Sequence, residues 1–246
     1  MQKFQKILQS ILFTQNYSIQ ADVLKQYHQV QPEVLFRSDD VWNTAKENTS
    51  KVTTLVGTDI KPYYTAVKTV DNSKTILGLV LPYTINEKQN INAYLVGSYD
   101  GNGKKTLKLY KFNKDTAILG TLQLDTLVEQ DEKISAELKS IEVTGTKIEK
   151  NIIVIPVNNT LLYVEPIFQV LQNENKTAPI LKKVIVASGN KVAIGDTLEK
   201  ALVNLLSQEA VSIKIETDNI DDLIEEIIKA NNNLTESNKS NDWALI

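Results

Sequence analysis

An α+β fold, a mainly antiparallel sheet with packed helices, is predicted by three features of this 246-residue sequence. Apolar residues alternate with period two from Lys51 onward, Gly and Asn turns separate the alternating runs, and helical apolar spacing appears at the start, middle and end of the chain. The expected organisation is an α+β domain over 1–206, with a helical lead-in over 1–48 and sheet plus helices over 51–206. A linker and an acidic amphipathic helix, cut short, are expected over 207–246.

The elements follow in order. Phe4, Ile7, Leu8, Ile11 and Leu12 recur at helical spacing between glutamines, so 2–14 reads as an amphipathic helix rather than a signal peptide or membrane span. A second helix is expected over 19–27, and a third from Ser38, whose hydroxyl would cap "DDVWNTA" with Asp39 and Asp40 in the first turn. "KVTTLVG", "YYTAVKTV" and "TILGLVLPYT" read as strands, the last two as a hairpin across "DNSK". "NAYLVGSY" and "TLKLYKFN" form another across "DGNGKK", where Gly101 and Gly103 supply positive φ. Leu124, Leu127, Val128, Ile134, Leu138 and Ile141 share a helical face, which predicts a helix lying on the sheet. "NIIVIPV" and "LLYVEPIFQVL" join at Asn158–Asn159, "LKKVIVA" pairs with "KVAI" through Gly189–Asn190, and Asp196 or Thr197 caps "LEKALVNLL". Ile220, Leu223, Ile224, Ile227 and Ile228 stripe a final helix with acids in its N-terminal turns. No internal repeat is evident in the sequence.

Composition excludes several chemistries. A net charge of −3 leaves no excess of positive charge to hold a phosphate backbone, so nucleic acid is not an expected partner. Residues 207–246 hold nine acidic and three basic side chains, so the tail carries −6 and the rest +3. Without cysteine there is no disulfide, thiolate nucleophile or metal–sulfur site. With His28 as the single histidine there is no two-histidine metal site, and a packed or surface role suits it better than that of a catalytic base.

Local motifs fail on inspection. "SYDGNGKKT" places Ser98 where a phosphate loop needs its first glycine and Lys105 where it needs a hydroxyl. Read as a calcium loop from Asp100 and Asn102, it sets Lys104 at a ligand position. Asp131–Glu132 read as a solvated helix face, and Lys182–Lys183 as edge protection rather than an anion site. Tyr63, Tyr64, Tyr83, Tyr94, Tyr99 and Tyr110 lie on or beside strands and suit a sheet core better than a sugar platform. Glu165 is the charge that stands out. Alternation puts it on one face with Leu161 and Tyr163, opposite Leu162 and Val164, and Pro166 cannot donate to the ladder. Its expected state is a carboxylate satisfied by backbone N–H groups or a basic residue, with a ligand or metal carboxylate as the alternative. No residue is assigned a catalytic, cofactor-binding or metal-binding role, and no cofactor is expected.

"YHQVQPEVLFRSDDVW", "LVLPYTINEKQNINAYL", "NIIVIPVNNTLLYVEPIF" and "LKKVIVASGNKVAIGDTLEKAL" resemble, in the same order, the C-terminal part of a large bacterial membrane-protein family known only as an uncharacterised protein family, the UPF class. "NDWALI" resembles that family's final helical segment, whereas "SIEVTGTKIEKN" departs from its pattern. The resemblance implies several N-terminal transmembrane helices in the whole protein, followed by a long soluble region outside the cytoplasm. The expected function is therefore that of a non-catalytic interaction or structural module on the extracytoplasmic side of the cell membrane. The missing transmembrane region, and an envelope protein, lipid or polysaccharide, are the expected partners. The alternatives are an exported hydrolase or carbohydrate-binding enzyme using a carboxylate pair, or lipid or wall-precursor handling through an apolar pocket.

Overall fold

The computed structural model describes residues 16–28, 31–37, 41–50, 57–68, 75–85, 88–99, 103–113, 118–157, 160–171 and 178–209. The predicted helix at 2–14, the strand at 51–56, the turn residues Gly101 and Asn158–Asn159, and the acidic segment from 210 lie outside them.

Two antiparallel sheets form the frame, with helices before, between and after them. α1 (16–27) and α2 (Pro32–Arg37) precede β1 (Trp42–Thr44), β2 (Lys46–Glu47) and β3 (Thr58–Asp59). β4 (Tyr63–Val67), β5 (Ile76–Ile85), β6 (Ile91–Tyr99) and β7 (Lys105–Lys111) follow, then α3 (Thr121–Gln130) and α4 (Glu132–Ile141). β8 (Thr146–Lys150), β9 (Ile153–Val157), β10 (Thr160–Leu171), β11 (Ile180–Ser188), β12 (Lys191–Gly195) and α5 (Leu198–Glu209) complete the order.

The α+β prediction and its hairpins hold: β4 pairs with β5, β6 with β7, β9 with β10 and β11 with β12. Three local expectations need correction. "DDVWNTA" does not form a helix through Trp42, because Trp42–Thr44 pair with Ile85–Tyr83 and the indole packs on Tyr83 at 5.6 Å. A partner forty residues away outweighs local capping chemistry. The middle helix is two helices, since Asp131 leaves the helical region and its carboxylate accepts from the Ile134 N–H at 2.9 Å. Asp131 is therefore a cap rather than a solvated face. At α5 the choice between caps falls on Thr197, whose hydroxyl accepts from Lys200 N–H at 3.2 Å.

The sheets repeat one another. In the first, β4 pairs with β5 up to Val80 and β1 takes over at Tyr83 on the same edge, leaving Leu81 and Pro82 between them. In the second, β9 pairs with β10 up to Val164 and β8 takes over at Ile167, leaving Glu165 and Pro166 between them. On the opposite edge each central strand shifts register just after the residue that follows its proline, between Tyr83 and Thr84 and between Ile167 and Phe168. Pro82 and Pro166 thus mark equivalent positions in two copies of one strand arrangement, a duplication that the residue types conceal.

Three apolar clusters layer these parts. α1 packs through Tyr17 and Ala21 on the Leu79–Leu81–Tyr83 face of β5. α5 packs through Ala201, Leu202 and Leu205 on the Leu162–Val164 face of β10. Between the sheets, Leu124 and Val128 of α3 and Ile134 and Ile141 of α4 share a core with Val80, Leu161, Tyr163 and Ile167. Buried tyrosine hydroxyls find backbone acceptors, Tyr17 on Leu95 O at 2.8 Å and Tyr83 on Ala21 O at 3.0 Å. Tyr63 joins the two sheets, donating to Val154 O and accepting from Val154 N–H, each at 2.8 Å.

Candidate functional site

The one charged residue of the β10 apolar run leads to the site. As alternation predicts, Leu161, Tyr163 and Ile167 face the central core with Glu165, whereas Leu162 and Val164 face α5. Glu165 is 2 % exposed. It lies in the gap between β9 and β8, so its expected partner arrives from the strand end beside that gap. Lys150, the last residue of β8, places its ammonium 3.1 Å from Glu165 Oε1. The same ammonium donates to Asp125 Oδ1 of α3, and Asp125 Oδ2 accepts from the Asn48 amide at 2.7 Å. Glu47 closes the group by accepting the Ile152 N–H at 2.8 Å. One cation thus serves a cluster of three carboxylates.

Both the cation and the deepest acid are held towards their protonated forms, and the geometry explains each. Lys150 is buried, which disfavours its charge, but Glu165 and Asp125 outweigh this and hold it protonated. Glu165 is pushed up to about 7, first by burial and then by Asp125 and Glu47, against the pull of Lys150. Burial also raises Glu47, opposed by the Ile152 N–H. Lys150 is thus held charged, while the Glu165 and Glu47 carboxylates are both held above the ordinary carboxylate range. Glu165 Oε2 has no hydrogen-bond partner among the described residues.

The frame does not require these charges. At the equivalent places of the first sheet, Leu81 stands for Glu165 and Thr44 for Lys150. Leu81 is 4 % exposed in an apolar core, so the same gap closes without an ion pair. Because a buried pair is weak evidence for stability, its presence in one copy alone makes it the candidate site.

Above the pair lies a cavity of about 260 Å³, close to the lower end of ligand-pocket sizes. Val128, Leu138, Ile148 and Ile167 form its walls, nearly buried Asp125 and Lys150 its floor, and exposed Glu129 and Lys139 flank it. A second hollow of about 240 Å³ beside Thr44, Thr84 and Thr121 has no ionised group buried at its floor.

Other sequence candidates stay apart. His28 stacks on Trp42 at 3.7 Å and its Nδ1 donates to the Leu24 carbonyl at 3.1 Å, a packed role. Lys183 links Glu137 and Asp196 at 2.8 Å each, and β12 begins pairing only at Val184, so Lys182–Lys183 flank an open stretch of sheet edge. The β6–β7 hairpin encloses "DGNGKK", with Tyr99 opposite Lys105; Asp100 and Asn102 lie outside the described residues. Tyr83 and Tyr94 are core residues, whereas Tyr64 and Tyr99 are exposed. Asp39 and Asp40 also lie outside the described residues. Among the described residues no group of three or more His, Asp or Glu could hold a metal. Sequence reasoning missed Lys150, Asp125, Asn48 and Glu47. The available signal was Asp125 itself, a carboxylate between Leu124 and Val128 on an apolar helix face.

Comparison with known proteins adds kinship and no reaction. The model of an uncharacterised protein family, UPF0182, matches residues 6–141. A "UPF0182 protein" of Caldicellulosiruptor saccharolyticus is 32 % identical over 200 residues, 80 % of this chain and 22 % of the relative. One from Moorella thermoacetica is 35 % identical over 189 residues, 75 % of this chain and 20 % of the relative. One from Trichodesmium erythraeum is 28 % identical over 235 residues, 92 % of this chain and 25 % of the relative. The chain thus spans about a fifth to a quarter of the length of these relatives. No solved structure matches the chain.

Proposed function

Because this chain belongs to the uncharacterised bacterial family UPF0182, we propose that it serves as a non-catalytic recognition module on the extracytoplasmic side of a longer membrane protein. The resemblance in block order supports that placement, and an absence of cysteine is compatible with an exported segment. No helix among the described residues is long and apolar enough to cross a membrane. On this reading any span lies in the remainder of the longer protein.

The observation that carries the recognition reading is the shared ammonium of Lys150. A catalytic acid or base must reach the substrate, whereas Glu165 is 3 % exposed at its side chain and is covered by a lysine already bonded to Asp125. A self-neutralised floor beneath apolar walls suits binding better than turnover. One feature favours the hydrolase reading, an acid near pH 7 beside a second carboxylate.

Externally added protease should cleave this segment in intact cells expressing the full-length protein. Protection until the cells are permeabilised would refute the extracytoplasmic placement. A panel of chromogenic glycosides and esters should show no turnover above buffer, and release that Glu165→Gln abolishes would overturn the non-catalytic role.

A further inference from the structure

We infer that the second hollow, between β1, the β5–β6 turn and the start of α3, binds a phosphoryl group, either free phosphate or the phosphate of an ester. The charged residues lining the first cavity cancel, Asp125 and Glu129 against Lys150 and Lys139, whereas those of this hollow do not. Among the described residues that line it, Lys46 and Lys88 are basic and none is acidic. Neither lysine is paired with a carboxylate among the described residues. The nearest acids along β2 and α3 are engaged elsewhere, Glu47 with the Ile152 N–H and Asp125 with Lys150 and Asn48. An incoming anion therefore meets a local excess of two positive charges.

Uncharged donors converge on the same space. Thr84 lines the hollow and is 8 % exposed. It pairs with Asn43, so strand alternation turns it away from the α1 face, where Trp42 and Tyr83 pack. Its hydroxyl has no hydrogen-bond partner among the described residues and is not sealed in the interior, so it opens into the hollow. Buried hydroxyls are ordinarily bonded, and one left open this deeply points to a ligand. Thr121 and Leu122, the first two residues of α3, bring first-turn N–H groups to the wall; Gly120 before them has no side chain to cap them, and the first turn holds no acid. Beside two ammonium groups and a free hydroxyl, such a helix end favours an oxyanion. The parts are held in place. The Thr121 hydroxyl donates to the Lys46 carbonyl, and the Asn90 amide donates to Ile118 O at 2.9 Å, which ties β2 and the β5–β6 turn to the same helix end. Donors arriving from the strand, the turn and the helix suit the several oxygens of a phosphoryl group better than the two of a carboxylate.

The test uses the 246-residue chain and amide chemical-shift titration at pH 7.5 with inorganic phosphate, glycerol phosphate and acetate at matched ionic strength. Inorganic phosphate is expected to bind at least tenfold more tightly than acetate, with shifts clustered at Thr84, Lys88, Thr121 and Leu122. Lys88→Gln, at an exposed turn position, and Lys46→Gln should each weaken phosphate binding at least threefold, and the two together at least tenfold. Thr84→Val should also weaken it at least threefold; if that buried variant does not fold, the two lysine variants decide the matter. Sedimentation with phosphatidate vesicles that the double variant abolishes would assign the phosphate to a lipid headgroup, and phosphate binding without sedimentation would assign it to a soluble source; either supports the site. Equal binding of phosphate and acetate, shifts centred elsewhere, binding unchanged in the double variant, or no binding at all would each overturn the inference. The protease and turnover experiments read the placement and role of the module independently, so failure here is distinguishable from failure there.

Discussion

Lys150→Met removes the single cation from the buried cluster and keeps most of the side-chain volume. Asp125, 4 % exposed at its side chain, would then hold its charge with Asn48 alone, or else bind a proton. Protonation caps the cost: an ordinary aspartic acid has a pKa of about 3.9, so neutralising one at pH 7 takes about 4 kcal/mol, and at pH 5 only about 1.5 kcal/mol. Glu165 adds little at pH 7, since it already titrates at about 7 with the lysine present. The expected loss is therefore about 3–4 kcal/mol at pH 7, in the range seen on breaking buried ion pairs, and less than half of that at pH 5. Urea unfolding followed by circular dichroism at the two pH values gives both numbers. Adding Glu165→Leu and Asp125→Asn to Lys150→Met should return stability to within about 1 kcal/mol of the parent, because neither near carboxylate of Lys150 is then left as an unpaired buried charge and Glu47 keeps the Ile152 N–H. A Lys150→Met cost below about 1 kcal/mol at pH 7, or an equal cost at both pH values, would refute the reasoning.

Glu165→Gln tests the proton itself. With the folded pKa raised from 4.5 to about 7, the native state holds more protons than the unfolded chain between those values, so the Glu165 contribution to stability falls as pH rises through that window. The difference between parent and Glu165→Gln in urea midpoint should therefore grow in favour of glutamine from pH 4.5 to 7, towards a ceiling of about 3 kcal/mol, and level off above it. Gly120→Ala would set a Cβ 1.8 Å from Gln89 O, and Gly195→Ala one 2.4 Å from Ala201 N. Each should cost at least 2 kcal/mol in thermal unfolding, as an overpacked backbone contact does. Gly103→Ala meets nothing within 4 Å and is strained only by its φ of +76°, so about 1 kcal/mol is expected. Thr197→Ala removes the α5 cap and should lower stability by about 1 kcal/mol, recovered by Thr197→Ser.

The hairpins were legible because alternation and turn residues are local signals. "LKKVIVASGNKVAI" carries its own register in Gly189 and in the facing Val and Ile positions. Trp42 was misread because its partners, Ile85 and Tyr83, lie far along the chain and no capping rule registers them. β8 was missed because "TKIEK" buries only Thr146 and Ile148 and otherwise reads as a polar connection. The duplication was hidden for a related reason: equivalent positions have exchanged Leu for Glu and Thr for Lys, so pairing is preserved while residue types are not. At the site, Glu165 was legible as a charge in an apolar run, and the prediction of a satisfying basic residue holds. Which basic residue, and that Asp125 shares it, depends on how α3 lies across the strand ends, and no spacing in the sequence encodes that.

The repeated strand arrangement also has a kinetic meaning. Within each copy three pairings join strands adjacent in sequence, β4–β5, β5–β6 and β6–β7 in the first and β9–β10, β10–β11 and β11–β12 in the second. The leading strand alone must close over a longer loop, β1 onto β5 and β8 onto β10. Hairpins of low sequence separation form before such closures, because less chain entropy is lost in making them. The chain is thus expected to assemble as two meanders, each locked when its first strand docks beside the proline. Lys150 rides on the strand that locks the second, so the ion pair is completed at the closing step, and amide protons of β1 and β8 should be the first in their sheets to exchange with solvent.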